Sequence, residues 1–183
     1  IIPEGATALE AAVRVRNWVR THIVYVFDKK DVLASETLHK REGMCTNKAN
    51  LQVAILRAAG IPSGYVFAHI TKEVYNIVPG MVNEEIYKGI ADPTVHCFAA
   101  AYEDGCDRFC YYDATEKLQG PPRENLYLKE NLETGESQFW RGLLRGPFSD
   151  VQANIDHLLE WEFPSKISDE VRDEQNAKFR KSK

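Results

Sequence analysis

Several features that would point to a function class are scarce or absent in this 183-residue sequence. No stretch approaches the ~18 consecutive apolar residues of a membrane-spanning helix, and the N-terminus lacks the charged, apolar and small-residue regions of a signal peptide. Positive charge is not in excess: Lys and Arg total 23 against 27 Asp and Glu, a net charge of −4. The basic footprint of a nucleic-acid binder is therefore missing, and neither nucleic acid nor membrane is an expected partner. Cysteine is sparse, with Cys45, Cys97, Cys106 and Cys110. Three of them crowd between positions 97 and 110, and no Asn-x-Ser/Thr acceptor occurs, so a reduced, cytoplasmic setting is expected. There is no EF-hand loop to imply calcium, no internal repeat and no low-complexity tract. The chain begins on Ile1 rather than Met, which reads as a trimmed or processed chain or a piece of a longer one and leaves an upstream signal or domain open.

Apolar residues at 44%, charged residues at 27% and aromatics at 10% describe an ordinary globular domain, long enough to bury a core without disulfides or a metal. Ala8, Ala11, Ala12, Val15, Val19 and Ile23 fall at helical spacing, with Thr7 as N-cap. Ser35 to Leu38 can start a short helix ending by Gly43. From about Thr46 to Ala59 apolar residues occupy most of the circumference, the mark of a buried helix, and Gly60 and Pro62 end it. "SGYVFAHI" predicts a strand. Thr71 to Asp92 reads as a long insertion without regular pattern, and the stretch from Gly120 to Phe148 as irregular. Ser149 and Gln152 suggest a capping box ahead of "VQANIDHLLEWEF", and Ser168 caps a final charged helix.

Two stretches carry chemistry. In "REGMCTNKANLQVAILRAAGIP" a cysteine stands between a glycine-containing turn and the buried helix. A thiol attacks carbonyls as the thiolate, and a helix N-terminus favours that form through its unpaired N–H groups, which can also donate to an oxyanion. In "TVHCFAAAYEDGCDRFCYYDAT", Asp104-Gly105 suits a two-residue type I′ turn. That turn pairs Glu103 with Cys106, Phe98 with Tyr111 and His96 with Asp113, placing the last two side chains ~5 Å apart at their β-carbons. An Asp beside a His can accept its Nδ1–H and fix its tautomer. Cys45, His96 and Asp113 thus form a candidate nucleophile, base and orienting carboxylate.

With these blocks the chain resembles the transglutaminase-like superfamily of papain-related enzymes. The resemblance rests on "REGMCTNKANLQVAILRAAGIPSGYV", "VHCFAAAYEDG" and "YYDAT", in that order and within roughly residues 8 to 116. It implies an α+β papain-like core, the nucleophile helix packed on an antiparallel sheet, and C-terminal accessory helices. The whole is expected to be one domain, with a core of about 6–118 and an accessory segment of about 119–183. It also implies cysteine-dependent acyl transfer through Cys45, His96 and Asp113, with no cofactor and no metal. The partners are an acyl donor, either a peptide, an amide or a carrier-bound thioester, and water or an amine as acceptor. Phe98 stands where many members carry an aromatic such as Trp, and the 71–92 segment exceeds a minimal member's, so substrate class does not carry over. The papain-type signature around the cysteine is absent.

Plainer readings compete. A free cysteine is usually a core thiol, and a scaffold of this kind can serve as a non-catalytic peptide- or protein-binding module. Cys97, Cys106 and Cys110 lack a suitable fourth partner for zinc. Tyr25 is a conceivable oxyanion donor but reads better as a core aromatic. Asn47 reads better as a first-turn polar residue. Tyr75, Tyr87 and Trp140 can line a cleft, although such aromatics mostly pack.

Overall fold

The computed structural model describes residues 1–76, 81–105, 107–115, 140–150 and 167–182. Helix α1 (Ala8–His22) begins where the sequence predicts: Thr7 Oγ1 accepts the Glu10 N–H at 3.2 Å while Glu10 Oε2 accepts the Thr7 N–H at 3.0 Å. Its Ala11, Ala12, Val15 and Val19 are fully buried. Strand β1 (Val24–Tyr25) runs parallel to β2 (Glu42–Gly43), and the short helix α2 (Ala34–Lys40) lies between them in sequence. Helix α3 spans Cys45–Ala58, starting one residue earlier than its apolar pattern suggests. Gly60, at φ +78°, provides the left-handed turn that leads out of it.

The main sheet has four strands in the order β5-β4-β3-β6, each pair antiparallel. Strands β3 (Ser63–Ile70) and β4 (Thr94–Glu103) are central and almost continuously buried, which explains their nearly unbroken apolar sequences. Strand β5 (Arg108–Tyr112) lies at one edge. Strand β6 (Trp140–Phe148) lies at the other, within a stretch whose sequence reads as irregular. Its alternation is obscured by Gly142, Gly146 and Pro147, and its ladder with β3 is interrupted by register shifts. Gly146, at φ +126°, passes so close to Tyr65 that a β-carbon would come within 2.4 Å of the Tyr65 carbonyl oxygen.

The hairpin between β4 and β5 departs from the predicted register. Glu103 pairs with Arg108, Tyr102 with Phe109 and Ala99 with Tyr112, so the connection is longer than two residues. Asp107 takes the positive φ of 48° and accepts a hydrogen bond from the Tyr102 hydroxyl, which draws it into the turn. The predicted pairing of Glu103 with Cys106, of Phe98 with Tyr111 and of His96 with Asp113 is therefore displaced by two residues. A shift of two preserves which side chains share a face, whereas a shift of one inverts it.

The insertion is also more regular than its sequence suggests: residues Lys72–Asn76 form a 3-10 turn and Glu84–Gly89 a helix, α4. Asn83 caps α4 by accepting the Glu85 N–H at 2.8 Å. The last described element, α5 (Asp169–Lys181), starts at Ser168 as predicted. The segment "VQANIDHLLEWEF" and Cys106 lie outside the described residues. Among those described, no helix is long and apolar enough to cross a membrane.

One core cluster joins α1 and α3 to the sheet through Val15, Val19, Leu51, Leu56, Ala101 and Tyr112. A second gathers Cys45, Ala49 and Val53 of α3 with Tyr65, Phe67, Val95, Cys97 and Ala99. The alternate residues of β3 and β4, Val66, Ala68, Phe98 and Ala100, pack with Val74 and Tyr75 of the insertion.

Candidate active site

Cys45 is the first residue of α3 and is 2% exposed. Its position is fixed from the preceding turn. Asn47 folds back so that its Oδ1 accepts the Met44 N–H at 2.9 Å, while its Nδ2 donates to the Lys29 carbonyl at 2.9 Å. Asn47 is thus a structural clasp, in line with its sequence reading. It also accounts for the glycine two residues before the cysteine, because a β-carbon on Gly43 would lie 2.7 Å from the Asn47 Cβ. Gly43 in turn pairs with Tyr25 in the β1–β2 ladder. The N–H groups of the first turn of α3 lack carbonyl partners within the helix and surround the thiol with positive partial charge.

His96 faces Ala68 across the β3–β4 ladder and is 4% exposed. Its Nε2 lies 2.5 Å from Asp113 Oδ2. A hydrogen bond also joins His96 to the Cys45 side chain, and with Nε2 engaged by the carboxylate, Nδ1 is the nitrogen left for the thiol. The expected use of Nδ1 by the carboxylate is thereby corrected. The register shift places Asp113 diagonally from His96, and an imidazole reaching across a diagonal of ~7–8 Å presents its distal nitrogen.

The electrostatics follow from this arrangement. Burial alone would lower the His96 pKa, but the charge and hydrogen bond of Asp113, and then the contact with Cys45, outweigh it and push it up to about 10. Burial would raise the Asp113 pKa, yet the His96 charge and hydrogen bonds from His96 and Thr115 hold it below the usual carboxylate value. Cys97, beside Cys45 in the core, is pushed well up by burial and by the charges of Cys45 and Asp113, and so favours the neutral thiol.

Three residues not singled out from the sequence hold Asp113, one through its carboxylate and two through the backbone at and before it. The Thr115 N–H donates to Asp113 Oδ1 at 2.7 Å. Arg16 Nε donates to the Asp113 carbonyl oxygen at 2.9 Å, and Gln52 Nε2 to that of Tyr112 at 3.2 Å. Arg16 and Gln52 are buried at 3% and 1% exposure. For Arg16 a signal was present: it is a polar residue on the buried side of a helix otherwise lined there by Ala11, Ala12, Val15 and Val19.

The C-terminal helix reaches the same region. Asn176 brackets Phe27, accepting its N–H at 2.8 Å and donating to its carbonyl at 2.9 Å. Arg180 Nε and Nη2 contact both oxygens of Glu42 at 2.7 and 2.8 Å. Gln175 accepts the Asn83 N–H at 2.7 Å and donates to the Met81 carbonyl at 3.0 Å. The Phe179 ring lies 5.6 Å from those of Tyr25 and Phe27. One helix thus ties together β1, β2 and the insertion on the side of Cys45. Tyr25 packs against the Cys45 cluster, and a hydrogen bond links it to Tyr75. Tyr87 instead lies under Lys72 Nζ at 4.9 Å. The side chain of Trp140 lies outside the described residues. Cys45 and Cys97 are free thiols.

The arrangement brings the three predicted residues together, and a family model matches the stretch that carries them. The profile of the Transglutaminase-like superfamily matches residues 2–114, a stretch that contains all three. A candidate cysteine protease from Cytophaga hutchinsonii is similar in structure at 21% identity and a TM-score of 0.42, over 57% of this chain and 30% of its own. A protein described as a TGase is similar at 12% identity and a TM-score of 0.41, over 85% of this chain and 41% of its own. The chain therefore spans less than half the length of either structure. No curated protein sequence matches it.

Proposed function

Because the chain belongs to the transglutaminase-like superfamily, whose members are typically cysteine enzymes, with some inactive, we propose that it catalyses acyl transfer from an amide or thioester through a Cys45–His96–Asp113 triad. The observation that carries this reading is His96 held between two partners, the Asp113 carboxylate at 2.5 Å and the Cys45 thiol.

In this mechanism the Cys45 proton rests on His96, whose pKa of about 10 keeps it an imidazolium at neutral pH, and the sulfur attacks the acyl carbonyl. Asp113 stabilises this imidazolium and holds the ring. The N–H groups of the first turn of α3 donate to the oxyanion. As the tetrahedral intermediate collapses, the bond to the leaving group breaks, His96 returns the proton to that group and a thioester remains on Cys45. Water or an amine then attacks the thioester, giving hydrolysis or amide formation. The donor classes that suit this chemistry are a peptide, another amide or a carrier-bound thioester.

Iodoacetamide at neutral pH, followed by peptide mass analysis, tests the nucleophile. Cys45 is expected to be alkylated well ahead of Cys97, Cys106 and Cys110. Incubation with a cell extract is expected to leave an acyl mass on Cys45 that is absent from Cys45→Ala. If Cys45 is no more reactive than Cys106 and Cys45→Ala retains every measurable function, the scaffold is a binding module and the enzyme reading fails.

A further inference from the structure

Two tyrosines from separate elements meet beside the nucleophile, and the mechanism above uses neither. Tyr25 is anchored by its ladder to Gly43, two residues before Cys45, and packs on the cluster that contains Cys45. Tyr75 comes from the 3-10 turn of the insertion, packs against the Val66–Phe98 cluster and places its ring 6.2 Å from that of Phe27. Phe27 in turn is bracketed by Asn176 and packed on Phe179, so both phenols stand on a wall that α5 holds in place. The two tyrosines are hydrogen-bonded to each other, and Tyr75 lies close enough to Cys45 for a charge on the sulfur to act on its phenol.

We propose that the Tyr75 hydroxyl donates a hydrogen bond to the oxygen of the acyl carbonyl under attack by Cys45, and that Tyr25 positions it. The proposal rests on the acyl-transfer reading and adds a side-chain donor to the backbone N–H groups of α3. A useful donor must remain protonated while negative charge grows beside it. Burial and the nearby Cys45 raise the Tyr75 pKa, with the Tyr25 hydrogen bond only partly opposing them, so the phenol stays neutral and donates without giving up its proton. Tyr75 belongs to the segment that is long for a minimal member of the superfamily, which makes this donor a local addition to the shared scaffold.

Two reagents separate this role from others. p-Nitrophenyl acetate acylates the sulfur through an oxyanion: the S–C bond forms, p-nitrophenolate leaves and the proton stays on His96. Iodoacetamide alkylates the same sulfur by direct displacement of iodide, with no oxyanion. Tyr75→Phe is expected to slow acylation of Cys45 by about 10- to 100-fold while alkylation stays within about 2-fold of the wild type. Tyr25→Phe is expected to change the same ratio in the same direction by a smaller factor, and it provides the test if Tyr75→Phe does not fold. An unchanged ratio in both variants, or equal loss of both rates, overturns the proposal. Wild-type Cys45 that neither acylates nor alkylates faster than Cys110 overturns the acyl-transfer reading itself, and this proposal with it.

Discussion

Asp113 stands diagonally across the hairpin from His96 rather than opposite it, and still brings Oδ2 to 2.5 Å from Nε2. The carboxylate therefore meets the distal nitrogen of the imidazole, and the same ring is hydrogen-bonded to the Cys45 side chain. Each of the three groups is 5% exposed or less, so their interactions are little screened by solvent.

This geometry makes the pair a unit. Asp113→Asn and His96→Gln are each expected to slow Cys45 acylation by about 10²- to 10⁴-fold, and the double variant is expected to be little worse than the more damaged single one. The burst of p-nitrophenolate measures it. Near-wild-type acylation in either single variant would remove the pair from the mechanism.

The same pair makes stability depend on pH. The His96 pKa is raised from 6.5 to about 10 in the folded protein, so folding binds a proton more tightly than the unfolded chain does. Its contribution is complete below about pH 6.5 and declines as pH rises toward 10. Asp113, with its pKa lowered from 3.8, contributes above that value and loses its effect as pH falls through the folded pKa. Urea unfolding at a series of pH values is expected to show wild-type stability falling between pH 6.5 and 10 more steeply than that of His96→Gln. Parallel slopes would contradict this assignment.

Gly43→Ala forces a β-carbon to within 2.7 Å of the Asn47 Cβ, a contact that only backbone movement relieves. Overpacking of this kind costs about 1–3 kcal/mol. Because the strained turn carries Cys45, alkylation of the thiol is expected to change together with the urea midpoint.

Arg16→Met keeps the buried aliphatic bulk but removes the donor to the Asp113 carbonyl. The orphaned oxygen is expected to cost about 1–3 kcal/mol, with a parallel loss of acylation as Asp113 loses its support. Thermal unfolding and the p-nitrophenolate burst, measured on one preparation, check both effects. A stability loss with full activity would confine Arg16 to the core.

Two changes in α5 should differ sharply. Asn176→Ala strips both backbone groups of buried Phe27 of their partners, at about 1–3 kcal/mol for each group. Arg180→Ala removes a bidentate ion pair whose arginine is 48% exposed, and it is expected to cost at most about 1 kcal/mol. Comparable urea midpoints for the two variants would mean that the helix is held by its charges rather than by its buried amide.

The sequence reveals the elements that satisfy their own local rules. Thr7 with Glu10, Gly60 and Ser168 mark helix ends through contacts within a few residues. Cys45, His96 and Asp113 were legible because motif spacing and face parity survive an error of two in register. The register itself was not, since the Tyr102–Asp107 hydrogen bond that shapes the turn competes with the intrinsic preference of Asp104-Gly105. Strand β6 escaped detection because its pairing with β3 joins residues far apart in sequence. Arg16, Gln52 and the Tyr25–Tyr75 contact likewise depend on partners supplied by the fold.

The brackets of Asn176 on Phe27 join residues 149 positions apart. On the ribosome, Cys45, His96 and Asp113 all emerge before the helix that braces the tyrosine wall beside the thiol. Native contacts of such long sequence separation form late, because the intervening chain must first be closed into a loop. The Cys45 sulfur is thus made early and the bracing of that wall comes later, so the nascent chain spends part of its synthesis with Cys45 present and the wall unbraced.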